Sequence, residues 1–307
     1  MLQVQRCPGL DEILPWLGTH FMSHGSQLKH FCCSNGSSGI PYRALESFLK
    51  TFTGIESFKI DNRSSVLTKR LDIASLTSHY ATLKRLKLSY GPSDGTTSSR
   101  RTLDAFDVVE LVGHCLNLEE LFLDFPETAI GILQGDDWGA HGKWIVSIFV
   151  SAFTHDTPTN KVQDYLARLS KLQILHIACW PKAPFPDKIT TPDPYETAYS
   201  ALIGLCTHKI QNRIDKRRSS HSLPLKLLSF GDAPSKKDWA PTKYGGQITM
   251  SRLFYIRRPA WFHSGHGLSA SVAVPARQVR YYVPGFEAVD KATGYDNGSL
   301  CKAFNLA

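Results

Sequence analysis

Histidine and cysteine crowd one short stretch near the start of the chain: His20, His24, His30, Cys32 and Cys33. Zinc takes four nitrogen or sulfur ligands, usually in short pairs two to four residues apart. Cys32 and Cys33 are adjacent, and neighbours in an extended chain point to opposite faces, so one ion cannot take both. The patch reads as ordinary repeat residues. His263 and His266 have no cysteine or carboxylate companion close in sequence. His114 and Cys115 place a base beside a thiol, but a nucleophile needs its base near in space and an oxyanion site as well. Cys115 fits a buried repeat position instead. Asp136 and Asp137 pair two carboxylates in a Gly-rich loop and read as a turn. No Gly-rich phosphate loop ends in Lys-Ser or Lys-Thr, and no serine occupies a Gly-x-Ser-x-Gly elbow. No catalytic residue, cofactor site or metal site is expected.

Basic residues point no further. Arg252, Arg257, Arg258, Arg277 and Arg280, with Tyr255, Tyr281 and Tyr282, come nearest to a nucleic-acid patch. They are not gathered on one element, so nucleic-acid binding is not expected. Lys216-Arg217-Arg218 reads as a solvated helix C-terminus, where the helix dipole favours cations. A nuclear import signal or a contact to an acidic partner are the other readings of that triplet.

The elements that must position any site follow one frame. Leu118, Leu121 and Leu123 stand at positions one, four and six of a hexad whose other residues are mostly polar. The frame recurs as Ile55, Phe58, Ile60; as Leu83, Leu86, Leu88; as Leu172, Leu175, Ile177; and as Leu225, Leu228, Phe230. Leu28, Phe31 and Cys33 make a weaker copy. Successive hexads begin 27, 28 and 35 residues apart, and the last two gaps are 54 and 53, about twice the base period. Self-similarity at this period is the mark of a repeat architecture. Each hexad predicts a strand with its fourth and sixth side chains on one face. One such strand cannot bury its apolar face alone, whereas stacked copies can. Helical spacing precedes the strands over Tyr42–Phe52, Leu71–Tyr80, Leu103–Cys115 and Val162–Leu169. Leu10–Phe21 is an amphipathic helix interrupted by Pro15, and Pro194–Arg213 is another long helical pattern. Trp144–Phe153 fits either a helix or a degenerate repeat strand.

The expected architecture is α/β: a leucine-rich-repeat-like solenoid, or horseshoe, with a parallel concave sheet and outer helices. It covers residues 1–245, and 246–307 forms an irregular C-terminal cap, within which Met250, Leu253 and Tyr255, then Ser269–Val274 and Val279–Val283, look like strands. A doubly wound sheet is the alternative. The insertions 91–102, 126–160 and 181–195 collect on the rim after the strand ends, as a binding surface or as tolerated length drift.

Hexad positions three and five face the concave side. They are Ser57 and Lys59, Arg85 and Lys87, Glu120 and Phe122, Ile174 and His176, Leu227 and Ser229, preceded by His30 and Cys32. These are the candidate partner-binding residues. The first half is polar to basic. Phe122, Ile174 and Leu227 in the second half are either covered by an insertion or displayed to a partner. Arg85 and Lys87 are suited to steering an acidic partner.

Bulk numbers agree with a folded chain. The 307 residues are 42% hydrophobic and 20% charged, with a formal net charge of +8. Disorder throughout is excluded by that composition. Met1–Leu10 lacks the apolar run of a signal peptide, and the longest apolar run, Trp144–Phe153, is too short to span a bilayer. Seven cysteines without a framework read as reduced thiols. A cytoplasmic or nuclear location, without a membrane, is expected.

Cys115-Leu116-Asn117-Leu118-Glu119-Glu120-Leu121-Phe122-Leu123 resembles the cysteine-containing leucine-rich repeat, and the run from Tyr80 to Leu88 is similar with Tyr80 at the cysteine site. This repeat is typical of F-box proteins, and the long insertions resemble the divergent fungal type. The resemblance covers roughly residues 10–235. It implies a non-enzymatic scaffold for protein–protein interaction, like the substrate-recognition part of a ubiquitin-ligase receptor. A Skp-type adaptor is implied only where an F-box precedes the repeats, and Leu14-Pro15 stands in the wrong helical context for its start. The other readings are an enzyme or ligand-binding protein with its site in the rim insertions and residues 246–307, or an inactive truncated product.

Overall fold

Each hexad becomes a strand, and the strands pair in chain order. The computed structural model describes residues 1–5, 7, 9–24, 27–35, 40–62, 71–90, 105–123, 164–177, 207–208, 210–230, 242–244, 247–249, 253–259, 269–274 and 283. Among them the hexads give β2 (His30–Asn35), β3 (Ser57–Asn62), β4 (Arg85–Tyr90), β5 (Glu120–Leu123), β6 (Ile174–Ile177) and β7 (Leu227–Phe230). A further strand that no hexad announces, β1 (Leu2–Gln5), pairs in parallel with β2. After a two-stranded ribbon, β8 (Thr242–Tyr244) with β9 (Gln247–Thr249), the chain adds β10 (Leu253–Pro259) and β11 (Ser269–Val274). The protein is thus α/β, with one nine-stranded sheet in the order β1-β2-β3-β4-β5-β6-β7-β10-β11. All pairs from β1 to β7 are parallel, and β7–β10 and β10–β11 are antiparallel. The sheet therefore continues into the stretch read from the sequence as an irregular cap.

Register explains why the hexad works. Every hexad strand starts at the third position, and these starts lie side by side: His30, Ser57, Arg85, Glu120, Ile174 and Leu227. The fourth positions then stack as Phe31, Phe58, Leu86, Leu121, Leu175 and Leu228, extended by Tyr255, and each is at most 1% exposed. A one-residue slip would turn every one of these to the other face. Burying one such side chain contributes roughly 1.5–3 kcal/mol, so the row holds the register firmly. Phe31 and Phe58 stack with centroids 5.6 Å apart.

Helices pack behind this face: α1 (Leu10–His24), α2 (Tyr42–Leu49), a 3-10 helix (Ile73–His79), α3 (Ala105–His114), a helical turn at 164–166 and a helix at 210–217. Their inward residues, among them Leu14, Phe48, Leu76, Leu111, Leu166 and Ile214, join one core with the strands. Pro15 lies inside α1 without ending it. Leu14, buried in the core just before it, and Leu17, packed against the core just after it, hold that turn in place. The stretch Leu71–Tyr80 forms a 3-10 helix, not an α-helix. Its Asp72 cap accepts from Ala74 N–H at 3.1 Å, while Ser75 Oγ donates to the Asp72 carbonyl at 2.6 Å. These short-range bonds favour the tighter turn.

All three rim insertions, Trp144–Phe153, the start of the pattern at Pro194, Asp136, Asp137, His263, His266 and residues 279–282 lie outside the described residues. Among the described residues no helix is long and apolar enough to cross a membrane.

Candidate interaction face

The second hexad position, a feature with no apolar signal, proves to organise the strand starts. The carbonyl of Lys29 accepts from Glu56 N–H at 2.8 Å and from Ser57 N–H at 3.0 Å. The same double acceptance recurs at Glu56, Lys84, Glu119 and Gln173, each serving the next strand. A carbonyl oxygen has two lone pairs, so one group satisfies two donors where strand pairing begins. The side chains there form ion pairs, Lys29–Glu56 at 3.0 Å and Lys84–Glu56 at 2.8 Å. Hydrogen bonds from Lys84 and Lys29 hold the Glu56 carboxyl down to about 2.

The face opposite the core carries two lateral rows. The third positions give His30, Ser57, Arg85, Glu120, Ile174 and Leu227. The fifth positions give Cys32, Lys59, Lys87, Phe122, His176 and Ser229. The ten candidate residues thus lie in two straight lines, but nine of them are at most 8% exposed. Only Arg85 among the ten is half-buried, like the neighbouring His30. Phe122, Ile174 and Leu227 are buried, at 3%, 8% and 0% exposed. Lys59 and Lys87 are covered too, at 4% and 3%, where display was expected. Strand periodicity separates two faces but carries no information on what closes the second one.

Contacts run along the rows. Lys87 Nζ sits 4.5 Å from the centre of the Phe122 ring. Phe122 stacks on His176 at 4.1 Å, and His176 Nδ1 shares a hydrogen bond with Ser229 Oγ whose donor depends on the ring tautomer. In the other row Arg85 Nη2 reaches over the small Ser57 to His30 Nδ1 at 3.5 Å. A guanidinium can only donate, so His30 accepts at Nδ1; burial first, and then the Arg85 charge, lower the His30 pKa. Burial raises the Cys32 thiol, against a downward pull from Lys59 and Lys87. Histidine beside serine is a pairing used in nucleophilic catalysis. Here Ser229 and His176 are only 2% and 5% exposed, which closes the hydroxyl to a substrate.

The His/Cys patch is dispersed. His20 lies on the outside of α1, stacked on Trp16, while Cys33 is in the core and Cys32 on the opposite face. Among the described residues no three His, Cys, Asp or Glu side chains could hold a metal ion. Burial raises Cys33 and Cys115 each to about 12, so both stay protonated, and His114 stacks on Tyr80 at 5.2 Å. The described cysteines, Cys7, Cys32, Cys33 and Cys115, are free thiols.

The basic triplet divides. Lys216 is exposed, and Arg217 pairs with Asp164 at 2.8 Å, beside Arg213 on the same carboxylate at 2.9 Å. Arg218 turns inward: its side chain is 3% exposed, and it donates to the carbonyls of Leu172, at 2.9 Å, and Leu223. It is a brace between two repeats, and sequence spacing alone gave no sign of that. The chain matches no protein-family model, no curated protein and no solved structure.

Proposed function

We propose that the chain is a leucine-rich-repeat-like solenoid, a horseshoe with β2–β7 on its concave side, and that it works as a non-enzymatic scaffold for protein–protein interaction. One observation carries this reading. The face opposite the core holds Lys59, Arg85, Lys87, Glu120 and His176 in register, whereas a doubly wound sheet, with helices on both faces, is apolar on both. A partner meets half-buried Arg85 and His30 first, with the covered rows as the floor beneath. The resemblance to the substrate-recognition part of an F-box ubiquitin-ligase receptor belongs to the same proposal, as do a ligase substrate as the partner and a cytoplasmic or nuclear location.

A photoreactive residue in place of Arg85, in the full chain, is expected to capture a discrete protein. One in place of Lys50, exposed at the end of α2, is not. Capture of nothing at Arg85, or of the same proteins at Lys50, removes the reading. Affinity purification is expected to recover a stable partner, an adaptor–cullin assembly if the receptor resemblance holds.

A further inference from the structure

The basic triplet Lys216-Arg217-Arg218 closes the helix at 210–217 and runs directly into Ser219 and Ser220. Nowhere else in the chain do two adjacent Lys or Arg residues precede a serine or threonine with one residue between. The backbone there makes a tight turn. Ser222 N–H donates to the Ser219 carbonyl at 3.0 Å, and the hydroxyls of Ser219 and Ser222 share a hydrogen bond at 3.0 Å. Both ends of the turn are fixed: Leu223 N–H donates to the Ser170 carbonyl at 2.7 Å, and Arg218 is held on the carbonyls of Leu172 and Leu223. Ser219, Ser220 and His221 stand exposed between those ends. Exposed turns of small polar residues are where a modifying enzyme reaches a folded chain.

Protein kinases that favour basic substrates pair two cations, two and three residues before the hydroxyl, with carboxylates of their own cleft. By spacing alone both serines qualify: Lys216 and Arg217 stand so to Ser219, and Arg217 and Arg218 to Ser220. The fold separates them. Arg218 turns inward with its side chain 3% exposed, so Ser220 keeps only one of its two cations. Ser219 keeps both, since Lys216 is exposed and the Arg217 side chain is 54% exposed beside Asp164. An exposed ion pair contributes little, so a kinase carboxylate can take Arg217 over from Asp164. The bond between the Ser219 and Ser222 hydroxyls is exposed as well and is exchanged for another at little net cost.

We propose that Ser219 is a phosphorylation site for a basophilic protein kinase, recognised through Lys216 and Arg217. Ser219 Oγ bonds to the γ-phosphorus of a nucleoside triphosphate as the bond from that phosphorus to the β-phosphate oxygen breaks. The nucleoside diphosphate leaves, and the hydroxyl proton passes to the base of the kinase. The product carries about two negative charges next in sequence to Arg218, the brace between two repeats.

The test incubates the folded full chain with magnesium, ATP and the catalytic subunit of a cyclic-AMP-dependent protein kinase, an arginine-directed enzyme. Phosphate is mapped by fragmentation mass spectrometry, and a kinase that prefers acidic substrates is run in parallel. Phosphate is expected on Ser219 from the first enzyme and not from the second. Arg217→Ala is expected to lower the initial rate about tenfold, and Lys50→Ala to leave it unchanged. Mapping on the parent chain answers the question even where a variant fails to fold. As much phosphate on Ser220 as on Ser219 overturns the proposal. So does labelling only after unfolding in urea, equal labelling by the second kinase, an Arg217→Ala rate equal to that of the parent, or no phosphate at all.

Discussion

His79 gives the sharpest test of the packing behind the sheet. It is fully buried, and its ring joins three elements. Nε2–H donates to the Leu49 carbonyl at the end of α2 at 3.0 Å, and Nδ1 accepts from Ile55 N–H, just before β3, at 3.4 Å. That pair of bonds requires the neutral ring. Burial lowers its pKa from 6.5, against a smaller upward effect from the Leu49 bond. The unfolded ring therefore takes up a proton at a pH where the folded one does not. Stability from this group is complete above 6.5 and falls as the pH drops through 6.5 toward the folded value. Between about pH 7.5 and about pH 5.5 a ring that stays neutral in the fold accounts for a loss of up to about 1.4 kcal/mol. His79→Gln removes the titration and costs about 1–3 kcal/mol at neutral pH, because one of the two backbone groups loses its partner. Urea unfolding followed by tryptophan fluorescence at both pH values measures the two effects. His30, also lowered, contributes with the same sign and leaves a residual slope in the variant. If His79→Gln loses as much stability between the two pH values as the parent chain, the neutral buried ring is the wrong account.

Phe58→Ala should cost about 3–5 kcal/mol in the same assay, since it opens the aromatic row with Phe31, whereas Glu56→Gln on the exposed ladder should cost under about 1 kcal/mol. Arg218→Ala should lower the unfolding midpoint by the equivalent of about 1.5–3 kcal/mol, because the carbonyls of Leu172 and Leu223 lose a charged donor, and Lys216→Ala should leave it unchanged. Maleimide labelling read by mass spectrometry should find Cys7 modified in the folded chain, and Cys33 and Cys115 only on unfolding, because burial keeps those two thiols protonated and out of reach.

The α/β class and the strands β2–β7 were legible because each depends on a local pattern, three apolar residues at fixed spacing. Register followed from the same pattern, since only one alignment puts Phe58, Leu86 and Leu121 together. β1 was not legible: Leu2 and Val4 offer two apolar residues, and only the finished edge of β2 gives them a place. The 3-10 helix escaped because Asp72 and Ser75 act through side-chain bonds that periodicity ignores. The two rows in which the candidate residues lie follow from strand alternation, whereas their burial depends on chain remote in sequence and has no local signal. Arg218 shows the same limit, being one of three adjacent basic residues of which one alone turns inward.

β5 and β6 are direct neighbours in register although their hexads begin 54 residues apart, while those of β3 and β4 begin 28 apart. The entropy lost in closing a flexible loop grows only with the logarithm of its length, about 0.6 kcal/mol for each doubling. The apolar side chains that lock one strand to the next outweigh that cost severalfold. The chain length allowed between residues 123 and 164 is therefore wide: a reporter domain or a binding peptide inserted in that interval, short of the core residues Leu166, Leu169 and Leu172, should leave the strands on either side in step.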